Sequence, residues 1–374
     1  MTITPGIQAT LLRYQREIQT ALRQAVQRGS NQMPALANDL SPFYGQMQYH
    51  LGWVDNSFAP MTINPGKLLR PTLLLLAYEA SGAWGLTNQA LNRSDYLRRA
   101  LPAAASVELT HNFTLIHDDI VDHDTERHHQ PTLWTVWGSS QGINTGDGMF
   151  ALSRLALWDV LQEGVEGEIA ARLGTVLDRA CLVVAEGQYL DLSFERREDI
   201  SVSMYLDMIS RKTAALMSCA TEMGALLGTR DTTTIKSLRD FGYEIGIAFQ
   251  VRDDLLGVWA STAELGKTSA GDIYRRKRSL PILHALEHAS AEDQQTLHQI
   301  YKQEASLSEH EVASVLAIFE RTSTRAYCLT FLNQQCARAR QALNNVPHLD
   351  NAVAARALED METLMHFVET AIQL

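Results

Sequence analysis

The chain has 374 residues, a formal net charge of −11, 45% hydrophobic residues and 20% charged residues. That balance excludes a disordered or fibrous polypeptide, and an acidic surplus speaks against nucleic acid as a partner, because such binders neutralise phosphates with basic surface. The four cysteines, Cys181, Cys219, Cys328 and Cys336, form no C-x-x-C pair, so they read as free thiols rather than a zinc knuckle or redox motif.

Residues 8–29 set Leu, Ile and Ala at helical spacing among Arg, Gln and Glu. The start lacks the basic region and apolar run of a signal peptide, which points to a cytoplasmic location. Residues 30–66 are richer in Pro, Gly and Asn and read as a helix and loop covering a core. Pro71 suits the first turn of a helix running to about Ser81, where Gly82 breaks it. Its LLRPTLLLLAYEA run is too short and interrupted to span a bilayer, so no membrane insertion is expected. The segment LPAAASVELTHNFTLIHDDIVD predicts a long helix. Further helices are expected over 147–163, 168–191, 200–228, 232–259, 279–290, 306–320, 322–343 and 350–372, with polar breaks at 128–146, 191–199 and 260–278. No β-α-β rhythm, short repeat or Pro/Ser-rich linker divides the chain. The expected fold is therefore all-α, one large domain, with residues 1–60 as an N-terminal helical extension and 61–374 as the body.

Two aspartate clusters stand out. In His117-Asp118-Asp119-Ile120-Val121-Asp122, the carboxylates of Asp118 and Asp122 are four apart and share a helix face, with Asp119 beside them. A solvated acidic helix end is one reading. The cluster directly follows an apolar stretch, however, and like charges at this spacing call for a cation. Asp253-Asp254 likewise sits late in an apolar helical run. Two such groups facing each other could hold Mg²⁺, which prefers hard oxygen ligands and shares them with substrate phosphates. Lys67 and Arg70 open a helix, where free N–H groups favour an anion. Arg127, Lys212, Lys267 and the run Arg275–Arg278 add positive charge around the clusters. A diphosphate bridged to Mg²⁺ suits this combination.

The sequence resembles the trans-type isoprenyl diphosphate synthases of the polyprenyl synthetase family, most closely the short-chain geranylgeranyl diphosphate synthases. The resemblance rests on GKLLRP (66–71), HNFTLIHDDIVD (111–122), ERHHQPT (126–132), RKT (211–213), GIAFQVRDDLLG (246–257) and GKTSAGDIYRRKRSLP (266–281), in the family's order. It implies the all-α isoprenoid synthase fold around a deep cavity, a catalytic domain over 61–374, and a homodimer. It also implies condensation of isopentenyl diphosphate with an allylic diphosphate, using about three Mg²⁺ ions. Asp118, Asp119 and Asp122, with Asp253 and Asp254 opposite, would bind the metal. Arg127, Lys212 and Lys267 would contact the allylic diphosphate, while Gly66, Lys67, Arg70, His111 and His128 would bind isopentenyl diphosphate. Thr213 and Gln250 would line the reaction centre, with Phe249 packed beside it.

Three positions depart from the family's pattern. His128 stands where a second Arg is common, and a neutral imidazole is a weaker anion ligand than a guanidinium. His129-Gln130 replaces a frequent His-Arg, and Gly257 replaces a third Asp in the second cluster. The resemblance also makes Phe113, five residues before Asp118, a floor for the growing chain, with the small Thr110 below it. It favours a C20 product, with C15 next. A terpene cyclase-like enzyme ionising an allylic diphosphate, or a non-catalytic partner subunit of a prenyltransferase, are the alternatives.

Overall fold

The computed structural model describes residues 5–31, 40–61, 66–89, 92–128, 130–194, 197–260, 270–303 and 305–370. They form helices α1 (Pro5–Leu12), α2 (Gln15–Asn31), α3 (Ser41–His50), α4 (Leu69–Ala80), α5 (Arg93–Leu97), α6 (Leu101–Val121), α7 (Leu133–Trp137), α8 (Ser139–Trp158), α9 (Gly167–Phe194), α10 (Val202–Ile209), α11 (Ala215–Gly228) and α12 (Thr232–Trp259). They continue as α13 (Gly271–Tyr274), α14 (Leu280–His288), α15 (Ala291–Lys302), α16 (Glu309–Arg321), α17 (Thr324–Asn344) and α18 (Ala352–Thr370). A two-residue hairpin, β1 (Glu126–Arg127) with β2 (Gln130–Pro131), pairs antiparallel between α6 and α7. The all-α expectation holds. No helix among the described residues is long and apolar enough to cross a membrane.

Burial on every face distinguishes the central helices. In α6 all residues from Ala103 to Thr110 are buried, and in α4 all from Pro71 to Ala80. A helix that is apolar all round belongs inside a protein. Accordingly α6 packs against α8, α4 against α11, α11 against α12, and α12 against α17. Local signals set the ends of these elements. Asp231 accepts from the Thr234 N–H at 2.8 Å and starts α12, while Pro102 occupies the first turn of α6. The C-terminal ends of α6 and α12 carry the two aspartate clusters.

Two differences from expectation bear on the site. Helix α8 begins at Ser139, inside the stretch read as a polar break, because its glycines pack on neighbours. A Cβ on Gly142 would strike Ile120, and one on Gly146 would strike His117. Between α10 and α11 the helix widens to a π-turn over Ser210–Ala214. Such turns are uncommon and concentrate at functional sites.

Candidate active site

Helix α6 ends where the first cluster begins to project. Asp122 caps it, its N–H donating to the Asp118 carbonyl at 2.8 Å, and Asp119 is buried three residues before the cap. Hairpin residue Arg127 reaches back to Asp119, with Nε at 2.7 Å and Nη2 at 2.6 Å from Oδ1. The other oxygen, Asp119 Oδ2, is buried without a hydrogen-bond partner. Burial pushes the Asp118 carboxyl up to about 6, against the pull of Lys212 and with help from Asp122. It also raises Asp119 and Asp122. These carboxylates carry more negative charge than their neighbours offset, so a cation would relieve them.

The two aspartates of the second cluster part company. Asp254 is wholly buried and accepts from Tyr205 Oη at 2.5 Å, Gln250 Nε2 at 3.2 Å, Lys277 Nζ at 3.4 Å and the Leu280 N–H at 3.4 Å. Both of its oxygens are thus engaged by groups of the fold itself. Asp253 keeps 44% of its side-chain surface exposed, touches Arg252 at 3.4 Å, and is pushed up by burial. Among the described residues, no three His, Cys, Asp or Glu side chains converge closely enough to hold an ion unaided. Mg²⁺ in general takes one or two carboxylates and completes its octahedron with water and substrate phosphate. The orphaned Asp119 oxygen and the carboxylates of Asp118, Asp122 and Asp253 are hard donors suited to it.

A cavity of about 340 Å³ runs from Asp118, Lys212 and Thr213 down to Phe113, Cys181 and Leu216. Lys212 and Thr213 belong to the π-turn, which helix α9 approaches very closely. A Cβ on Gly187 would lie 2.3 Å from the Lys212 nitrogen, so only glycine permits this contact. Lys212 Nζ donates to Asp191 at 2.5 Å. Asp191 and Asp118 hold its pKa above the ordinary lysine value against the opposing effect of burial. Thr213 donates to Gln250 Oε1 at 3.0 Å, and through Gln250 it is tied to Asp254. Phe113 lines the cavity, edge-on to Phe150 of α8 at 5.0 Å and to His117 at 5.9 Å. His117 is a packing residue, its Nε2 3.3 Å from the Ile143 carbonyl oxygen. Thr110 is buried and does not line the cavity.

The basic residues near α4 form a second group. Arg70 Nη1 donates to His111 Nε2 at 2.9 Å, which makes that ring nitrogen an acceptor and His111 a neutral imidazole. The His128 ring lies 3.5 Å from where a Gly66 Cβ would sit, which places His128 beside Gly66. Lys67 Nζ lies 5.7 Å from the Phe249 ring centroid, and burial lowers its pKa. Lys267 and His129 fall outside the described residues.

Sequence reasoning missed several neighbours. His50 ends α3 and enters this region because Tyr49 Oη donates to the Pro131 carbonyl at 2.8 Å, docking α3 on the hairpin. Burial, with Arg127 and His128 nearby, pushes His50 down to about 3. Asp191 and Tyr205 also carried no sequence signal, being single polar residues within helical periodicity, and Arg252 entered only as part of the second cluster's motif. Gly257, where the family's third aspartate is absent, faces Asp272. A Cβ there would meet Asp272 Oδ2 at 2.3 Å. Asp272 is buried, pairs with Arg275 at 2.7 Å and lies 3.8 Å from Lys277 Nζ. A carboxylate thus occupies this space from α13 instead of α12.

The Polyprenyl synthetase family profile matches residues 52–319. The chain is 35% identical over 276 residues to a (2E,6E)-farnesyl diphosphate synthase of Mycobacterium bovis, covering 73% of this chain and 72% of that one. It is 35% identical over 284 residues to a geranylgeranyl diphosphate synthase of Mycobacterium tuberculosis, covering 76% of each. The crystal structure of a polyprenyl synthetase from Streptomyces coelicolor A3(2) superposes with a TM-score of 0.81 at 32% identity, covering 97% of this chain and 99% of that one. With the fold, the two aspartate clusters and these likenesses together, the chain belongs to the polyprenyl synthetase family, as a trans-type isoprenyl diphosphate synthase catalysing Mg²⁺-dependent prenyl condensation.

Proposed function

We propose that the enzyme joins isopentenyl diphosphate to allylic diphosphates and stops mainly at the C20 product, geranylgeranyl diphosphate, with C15 next. Asp118, Asp119, Asp122 and Asp253 would hold Mg²⁺, which supplies charge neutralisation for the departing diphosphate. Lys212 and Arg127, with Lys267, add fixed positive charge at the same end. Gly66, Lys67, Arg70, His111 and His128 hold isopentenyl diphosphate so that its double bond faces the allylic carbon. Thr213 and Gln250 present oxygen dipoles to the passing positive charge, and Phe249 helps exclude water. The released diphosphate takes the final proton. Asp254 is a positioning residue, orienting Gln250.

The observation carrying the chain-length reading is the Phe113 ring on the cavity wall, braced edge-on by Phe150 at 5.0 Å. The relatives leave the length open, since a farnesyl and a geranylgeranyl synthase match at the same identity. Incubation with radiolabelled isopentenyl diphosphate and separate C5, C10 and C15 primers should give C20 as the main product, and Phe113→Ala should lengthen it. Failure to elongate any primer would sink the condensation reading, and an unchanged length in the variant would remove Phe113 as the floor.

The resemblance further implies a homodimer. Helices α8 and α9 offer a face for it, with Ile143, Phe150, Leu182 and Tyr189 exposed, the last at 72%. Leu182 and Tyr189 are seven residues apart on one side of α9, as Ile143 and Phe150 are on α8.

A further inference from the structure

Arg252 is among the largest fully buried side chains of the described residues, 1% exposed. A guanidinium in such a place needs a carboxylate in good geometry and partners for its remaining donors. Arg252 has neither. Its carboxylate contact, Asp253, is 3.4 Å away, and its Nε is buried with no hydrogen-bond partner. The guanidinium lies 4.4 Å from the Phe367 ring centroid of α18. Lys67 Nζ lies 5.9 Å from that same ring and 5.7 Å from Phe249, one turn before Arg252 on α12. Two cations therefore share one aromatic ring, with one half-exposed carboxylate between them. Asp253 is also a proposed Mg²⁺ ligand, and engaging the metal would draw it away from Arg252.

The rest of the subsite is short of free positive charge. Arg127 is committed to Asp119. Arg70 has one donor on His111, and His128 supplies an imidazole. We propose that Arg252 is a further anion-binding residue of the isopentenyl diphosphate subsite, set beside Lys67 and held ready on the Phe367 ring. This rests on the condensation reading above. Its consequence is that the buried, under-compensated guanidinium is a liability without substrate and a bidentate donor with it.

Arg252→Met keeps much of the side chain's volume and removes the charge. With wild-type enzyme condensing as proposed, the variant should show KM for isopentenyl diphosphate raised about tenfold or more, the loss of one charge-assisted contact. KM for the allylic primer should stay near wild type. Without ligand its melting temperature should be unchanged or higher, while the upward shift given by isopentenyl diphosphate alone should shrink. Arg252→Lys should fall between the two enzymes, and adding His128→Arg to Arg252→Met should recover isopentenyl diphosphate affinity. A lowered melting temperature with an unchanged KM for isopentenyl diphosphate would make Arg252 a structural residue and overturn the proposal. Equal rises in both KM values would overturn it as well. Absence of condensation by the wild-type enzyme would instead reject the reading on which it rests.

Discussion

Position 257 shows how one residue's meaning depends on a segment fifteen residues away. From sequence, Gly257 is a lost carboxylate. In the fold it is the gap that admits Asp272, whose oxygen would lie 2.3 Å from a Cβ there. Asp272 is not free to retreat, being buried and drawn to Arg275 and Lys277. Gly257→Ala should therefore destabilise the protein by about 1–3 kcal/mol, the usual range for overpacking a filled interior. Denaturant unfolding measures this, and an unchanged midpoint would mean that Asp272 yields without strain. The same contrast marks what was legible. Asp118, Asp119 and Asp122 announce themselves by spacing, and Lys67 and Arg70 by their place at a helix start. Arg252, Asp272 and His50 do not, because each acquires its surroundings only through tertiary contact. Nor could sequence separate Asp253 from Asp254: adjacent helical residues point about 100° apart, and packing decides which one keeps exposed surface.

At the level of elements, long apolar helices were readable from periodicity, but irregular ones were not. The π-turn at Ser210–Ala214 is set by what presses on it, since the local sequence SRKTA has no special signature. Helix α9 presses most closely, at Gly187. An alanine there would place a methyl group 2.3 Å from the Lys212 nitrogen and 2.7 Å from its Cα. Backbone cannot rotate aside as a side chain can, so the turn itself must move. Gly187→Ala should lower kcat on the order of 10²-fold, the scale of a 1 Å misplacement of reacting groups. A crystal structure of the variant should show Lys212 and Thr213 displaced. Wild-type kcat would mean that the turn's position is not critical. Helix α8 was missed for a related reason. The stretch SSQGINTGDG looks like loop because Gly weakens helices, yet Gly142 and Gly146 are buried against α6 and give Ile120 and His117 room.

Across the whole molecule, chain ends meet the centre. Glu79, fully buried in α4, accepts from Tyr14 at 2.7 Å, Tyr96 at 2.9 Å and Arg356 at 2.9 Å. Residues from three other segments satisfy one carboxylate, and no local pattern foretells that. The outer surface makes a different demand. Exposed apolar residues scattered singly are ordinary, but Ile143, Phe150, Leu182 and Tyr189 lie on two neighbouring helices joined by the Arg154–Asp178 ion pair. Phe150 faces both ways, since its ring also braces Phe113 in the cavity. If a second copy covers this face, Leu182→Glu would bury a carboxylate without a partner at the centre of the interface. Light scattering coupled to size exclusion should then read a dimer for the native enzyme and a monomer for the variant. The variant should retain its helical circular dichroism, because Leu182 is 63% exposed within the single chain and supports no core. A native monomer, or a variant that remains dimeric, would place the interface elsewhere. With the dimer lost, Phe150 would lose its outer support, so the variant's products should spread towards longer chains in the same primer assay.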